Sequence, residues 1–142
     1  MKISARNQFH GRIAAVTAGA VNSEVALLLP SGQQIVSVVT NQSANALNLK
    51  PGTEAVALVK ASSVLVMTDA PGLRLSARNC LAGTLTTLNK GPVHAEVTIT
   101  LPGGEALCAT ITHAAAEALG LTEGMPASAV FKASSVILAV PA

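Results

Sequence analysis

The chain has 142 residues, half of them hydrophobic and only 11% charged, with a formal net charge of +2 at pH 7. So small a positive charge argues against a groove that tracks a phosphate backbone, and it suits a small anion better than a polyanion. No run of 18 or more apolar residues occurs, which excludes a membrane-spanning helix, and two Phe with no Tyr or Trp leave no aromatic platform for stacking bases.

Met1-Lys2, followed by the apolar and small residues Ile13–Ala20, has the order of a secretory leader. The stretch from Arg74 to Val93 repeats that pattern inside the chain, where a cleaved leader cannot be. The segment is therefore expected to belong to the fold, and the protein to be cytoplasmic.

Val16, Val21, Val25, Leu27, Leu29, Ile35, Val36, Val38 and Val39 form β-branched, partly alternating runs that predict short strands. Turn signals divide them at Gly19-Ala20 and Pro30-Ser31-Gly32, with Gly91-Pro92 and Pro102-Gly103-Gly104 at the matching places further on, where Gly is expected to supply positive φ. Thr40 is placed to cap a short helix carrying Ala44, Leu47 and Leu49. Thr112 likewise opens the helix-forming run His113–Leu119, with Gly120 as its C-cap. Pro51-Gly52 and Glu123-Gly124 lead into a last pair of strands in each half: Ala55–Lys60 with Val64–Thr68, and Ala127–Lys132 with Val136–Val140.

The halves are copies. Ser4-Ala5-Arg6-Asn7 returns as Ser76-Ala77-Arg78-Asn79, and Lys60-Ala61-Ser62-Ser63-Val64 returns as Lys132-Ala133-Ser134-Ser135-Val136, each 72 positions on. The expected organisation is one lobe over 1–70 and a second over 71–142, joined at Asp69-Ala70-Pro71-Gly72. The fold class is mainly β, with two tandem OB-like five-stranded barrel lobes, each with one short inserted helix. A lobe of this size buries only roughly 60% of its unfolded surface. The excess of apolar residues therefore predicts lobe–lobe packing and a homo-oligomer.

Most positions shared by the copies are apolar or turn residues, as a fold requires. The two phrases are different. They combine Ser hydroxyls, an Asn amide, Arg and Lys with small residues that let backbone N–H groups approach a guest, and none contains Asp or Glu. A set that only donates can surround an anion with charge-assisted hydrogen bonds. A second anion position is expected at Gly19, Ala20, Val21 and Thr40, and at Gly91, Val93 and Thr112, where loop amides meet a helix start.

His10, His94 and His113 align with Ala82, Asn22 and Asn41, and Cys80 and Cys108 align with Gln8 and Val36. None recurs, and no zinc-like spacing links them. No P-loop, nucleophile elbow or repeated nucleophile–base pair is present, so no enzyme is expected.

Both phrases, the strand Ile35–Thr40 and the helix after it resemble the molybdenum-pterin-binding (Mop) domain family. Lobes of that family begin with Ser-Ala-Arg-Asn-Gln and end in a Lys-Ala-Ser-Ser-Val-like strand. The resemblance covers nearly the whole chain, as a tandem di-Mop arrangement. It implies a homotrimer that holds molybdate, or its analogue tungstate, between lobes of neighbouring subunits. The implied ligands are Ser4, Arg6, Asn7, Lys60, Ala61 and Ser62, and Ser76, Arg78, Asn79, Lys132, Ala133 and Ser134, the alanines through backbone N–H and the arginines partly through theirs. Cys80 departs from the family's Gln. The competing readings are an OB-fold nucleic-acid module and an assembly protein that needs no anion.

Overall fold

A computed structural model describes residues 1–69 and 72–142; Ala70 and Pro71 of the expected linker lie outside them. The first copy contains β1 (Asn7–Ala18), β2 (Asn22–Leu28), β3 (Gln34–Thr40), α1 (Asn41–Ala46), β4 (Glu54–Val59) and β5 (Leu65–Met67). The second contains β6 (Asn79–Lys90), β7 (His94–Thr100), β8 (Ala106–Thr112), α2 (His113–Ala118), β9 (Pro126–Phe131) and β10 (Ile137–Ala139). Single 3-10 turns at Ala61–Ser63 and Ala133–Ser135 precede β5 and β10.

Alternation sets the strands. In β2 the side chains of Ser23, Val25 and Leu27 are buried while their neighbours face outward, and β7 repeats this with Ala95, Val97 and Ile99. Both long strands carry a bulge at the same place, between Ile13 and Ala15 and between Leu85 and Thr87. Such an extra residue bends a strand and increases its twist, which helps a small sheet to curl. The five-stranded order is β10-β4-β1-β2-β3 in one sheet and β5-β9-β6-β7-β8 in the other. In each, the two edge strands approach one another, so the sheet closes in the OB-like manner around a core that includes Val25, Ile35 and Val59, or Leu85, Val97 and Phe131.

The last two strands of each copy do not pair with each other. β4 pairs with β1 and β10, whereas β5 pairs with β9. The reason is local. A tight hairpin needs residues at positive φ, usually Gly, Asn or Asp. Here Lys60 and Val64 hold φ values of −66° and −97°, on either side of a 3-10 turn closed by Ser63 N–H to Lys60 O and Val64 N–H to Ala61 O. The chain leaves β4 without reversing onto it. The compact units consequently differ from the sequence copies 1–70 and 71–142. One comprises Met1–Val59 with Lys132–Ala142, the other Lys60–Phe131.

The helices follow the sequence. Thr40 and Thr112 cap α1 and α2 through their hydroxyls, each accepting from an N–H three residues on. Gly120 ends α2 at φ +60°, and its counterpart Asn48 takes φ +52° after α1, the one non-Gly residue at positive φ among those described. Gly19 and Gly91, by contrast, do not sit at positive φ. Their role is close approach: a Cβ would lie 2.9 Å from Asn22 O or 3.0 Å from His94 O.

Candidate functional site

Asn7, the last residue of the first phrase, is the first of β1, and it pairs with Val59, the last residue of β4. The first phrase therefore enters this ladder at the end where the chain continues into Lys60. The second copy repeats the arrangement, with Asn79 opposite Phe131 and Lys132 following. Ile137 of β10 pairs with Leu58. The Lys132–Ser134 phrase and the Ser4–Asn7 phrase thus border one end of the first unit, on either side of β4, with two strand spacings of about 4.8 Å between them. Leu65 pairs with Val130, so Lys60–Ser62 and Ser76–Asn79 border the corresponding end of the second unit. Two phrases that lie far apart in sequence are gathered by strand pairing alone.

Within each phrase the side chains divide by burial. Asn7 and Asn79 are buried at 3% and 1% exposure, and so are Ala61 and Ala133, while Ser4, Arg6, Lys60, Ser62, Ser76, Arg78, Lys132 and Ser134 are exposed. Among the described residues no buried side-chain nitrogen or oxygen lacks a hydrogen-bond partner. The asparagines thus anchor the phrases, and the hydroxyls and cations project. Neither Lys60 nor Lys132 takes part in an ion pair among the described residues. The 3-10 turns employ the amides of Ser63, Val64, Ser135 and Val136, leaving those of Ala61, Ser62, Ala133 and Ser134 outside the turn's own bonds. Each phrase pair carries an exposed ammonium, hydroxyls and backbone amides, with an arginine beside them, a chemistry matched to a small oxyanion.

Two supports lie outside the repeated phrases, of which the sequence pointed only to Gln8, through the family's Gln that Cys80 replaces. Gln8 Nε2 donates to Ala5 O at 3.2 Å and braces the first phrase, a bond that Cys80 cannot copy. Ser37, wholly buried, donates to Val136 O at 2.8 Å. Neither residue recurs in the second copy, so repetition gave no signal for them.

The residues expected at a second anion position are brought together. Gly19 N–H donates to Asn22 O at 2.8 Å, and Asn41 N–H to Val21 O at 2.8 Å, which sets the loop against the start of α1 behind Thr40. Gly91, Val93 and Thr112 repeat this through Gly91 N–H to His94 O and His113 N–H to Val93 O. Asn41 Nδ2 donates to Gly19 O at 2.9 Å, and His113 Nδ1 lies at the same distance from Gly91 O. The imidazole therefore takes over an amide's structural role by donating from Nδ1.

Lys90 Nζ lies 2.7 Å from Glu117 Oε1, and His113 Nε2 lies 3.6 Å from it. The hydrogen bond from Lys90, then its charge, holds the Glu117 carboxyl below the usual glutamate range. A depressed carboxyl favours the fold above its unfolded-state titration, and that contribution is lost as pH falls through the folded-state value. Side-chain NMR should show Glu117 titrating below a normal glutamate, and Lys90→Ala should return it toward normal. No group of three or more His, Cys, Asp or Glu among the described residues could hold a metal cation.

The TOBE domain family model matches this chain twice, over residues 3–66 and 75–138. A molybdate-bound structure of the cytoplasmic molybdate-binding protein ModG superposes with a TM-score of 0.96 at 54% identity, covering 99% of this chain and all of that one. The chain is 45% identical over 140 residues to the molybdenum transport protein ModE of Herbaspirillum seropedicae, covering 99% of this chain and 52% of that protein. It is 44% identical over 141 residues to the molybdenum-pterin-binding protein MopA of Rhodobacter capsulatus, covering 99% of this chain and 53% of that one. The chain spans about half the length of these curated relatives. A twofold family match and a full-length structural neighbour, carried on the phrases described above, establish that the chain belongs to the TOBE domain family as a tandem pair of Mop-like domains.

Proposed function

We propose that this protein binds molybdate, and its near-equal in size and charge tungstate, for storage and homeostasis in the cytoplasm. The observation that carries the reading is that strand pairing brings exposed Lys132 to the sheet end entered by Ser4–Asn7 and exposed Lys60 to the one entered by Ser76–Asn79, both lysines outside any ion pair among the described residues. The full-length likeness to a molybdate-bound neighbour supports the same chemistry.

Molybdate at neutral pH is a tetrahedral dianion with four acceptor oxygens and no proton to donate, so a shell of donors suits it. Phosphate, partly protonated, would aim a donor at donors, a costly mismatch once desolvated. Sulfate has the right charge and must be rejected by its smaller size. The proposed ligands are Ser4, Arg6, Asn7, Lys60, Ala61 and Ser62 with their counterparts Ser76, Arg78, Asn79, Lys132, Ala133 and Ser134. The loops Gly19–Val21 and Gly91–Val93, with Thr40 and Thr112, form the second proposed position.

The proposed state is a homotrimer with oxyanions held between lobes of neighbouring subunits. Exposed apolar side chains recur at matched positions, Met1 with Leu73, Ile3 with Leu75, Val21 with Val93 and Leu65 with Ile137, which supports a repeated self-association surface. Binding, not catalysis, is the proposed activity. Nucleic acid is not a proposed partner of this chain. One relative, in Escherichia coli, is named a DNA-binding regulator and matches over 52% of its length, but both aromatic residues here, Phe9 and Phe131, are buried and offer no stacking surface.

Native mass spectrometry tests both parts of the reading. The expected result is a trimer that gains discrete molybdate masses and resists dissociation as they add, since a ligand bound by the assembly stabilises it. A monomer that gains no molybdate would refute it.

A further inference from the structure

Ser37 and Ala109 occupy the same place in the two copies, 72 positions apart, and both are buried. Ser37 pairs with Val25 and Ala109 with Val97, so the strands around them match. The difference is one hydroxyl. Ser37 Oγ donates to the carbonyl of Val136 at 2.8 Å, 99 residues along the chain. Val136 closes the 3-10 turn that begins after Lys132, its own N–H bonded to Ala133 O. In the second unit the turn after Lys60 has the same geometry, with Val64 at φ −97° and ψ 122° like Val136. There β8 packs on that turn with Ala109 at the place of Ser37, and its methyl side chain has no donor to offer Val64 O.

We infer that Ser37 is a positioning residue that holds the Lys132-Ala133-Ser134 phrase in place, making it stiffer than the Lys60-Ala61-Ser62 phrase. The two lysine-bearing oxyanion positions of one chain are then inequivalent, the Lys132-dependent one being pre-organised and tighter. This inference rests on reading those phrases as oxyanion ligands. The physical ground is that a buried hydroxyl is tolerated only when bonded, and this one is spent on a segment otherwise tied down by its own short turn. Restricting a binding segment in its bound shape raises affinity by lowering the ordering cost.

The test begins with amide exchange, resolved by NMR, on the full-length protein without anion. Ser135 and Val136 should exchange roughly two- to tenfold more slowly than Ser63 and Val64, the span of one net buried hydrogen bond. Ser37→Ala, which installs the residue the second unit already uses, should erase that difference while leaving the rest of the sheet protected. Ala109→Ser should slow Ser63 and Val64 in turn. Molybdate titration then follows in two backgrounds. With Lys60→Ala present, Ser37→Ala should weaken the remaining binding by the same two- to tenfold. With Lys132→Ala present, Ser37→Ala should change nothing. Equal exchange at both turns in the unaltered protein would overturn the inference. So would a Ser37→Ala effect spread evenly over both units, the mark of a purely structural role. If the exchange pattern holds but no variant, nor the parent, binds molybdate, the oxyanion reading fails and the positioning of the turn stands.

Discussion

A protein carrying Lys60→Ala and Lys132→Ala together should bind molybdate at least about tenfold more weakly at each lysine-bearing position while keeping its fold. Each lysine supplies a full charge to a donor shell, and a charge-assisted hydrogen bond contributes about 1.5–3 kcal/mol. The fold should not notice the change. Both side chains are exposed and outside any ion pair among the described residues, and such surface positions usually alter stability by less than about 0.5 kcal/mol. Calorimetric titration and thermal melting of the double variant separate the two effects. Undiminished binding with an unchanged melting temperature would mean that other groups hold the anion. The single variants should each retain one class of position.

Ending the chain after Phe131 is expected to unravel the first copy more than the second, although every deleted residue belongs to the second. Residues 132–142 complete the unit built by 1–59. They supply β10 along the edge of β4 and bury Ala133, Val136 and Leu138 at 6% exposure or less. Full burial of a Val or Leu side chain stabilises by about 1.5–3 kcal/mol, so losing this set removes several kcal/mol from a domain whose net stability is only about 5–15. The Ser37 hydroxyl loses its acceptor as well. Amide exchange resolved by residue should show Val25 and Ile35 losing protection while Leu85 and Val97 keep theirs. Loss confined to the second copy would contradict the strand assignment.

Repetition made much of this protein legible. Because Ser-Ala-Arg-Asn and Lys-Ala-Ser-Ser-Val recur intact, they stand out as polar sets that a core does not need, and the strand ladders bring them to shared sheet ends. Thr40 and Thr112 were readable as caps because a hydroxyl before a helix has one strong local use. Gly120 was readable as a C-cap for the same reason, and Asn48 became intelligible by its alignment with Gly120.

What escaped was non-local. The sequence places Ala55–Lys60 and Val64–Thr68 side by side with a short gap, and nearness suggests a hairpin. Only the absence of a positive-φ residue between them, a negative signal, argues for an exchange of strands between copies. Ser37 was hidden because its partner carbonyl lies 99 residues away and its counterpart is alanine. Gly19 and Gly91 were expected to serve through positive φ, yet what marks them is a carbonyl three residues on, which a Cβ would meet at 2.9 Å in Gly19 and at 3.0 Å in Gly91.

The central claim is that this chain selects a fully deprotonated tetrahedral oxyanion of molybdate's size. Calorimetric titration of the full-length protein with molybdate, repeated in excess sulfate and then in excess phosphate, tests it most directly. Saturable binding that persists in both competitors is the expected result. Absence of binding in calorimetry and in equilibrium dialysis, or its loss in sulfate, would contradict the claim.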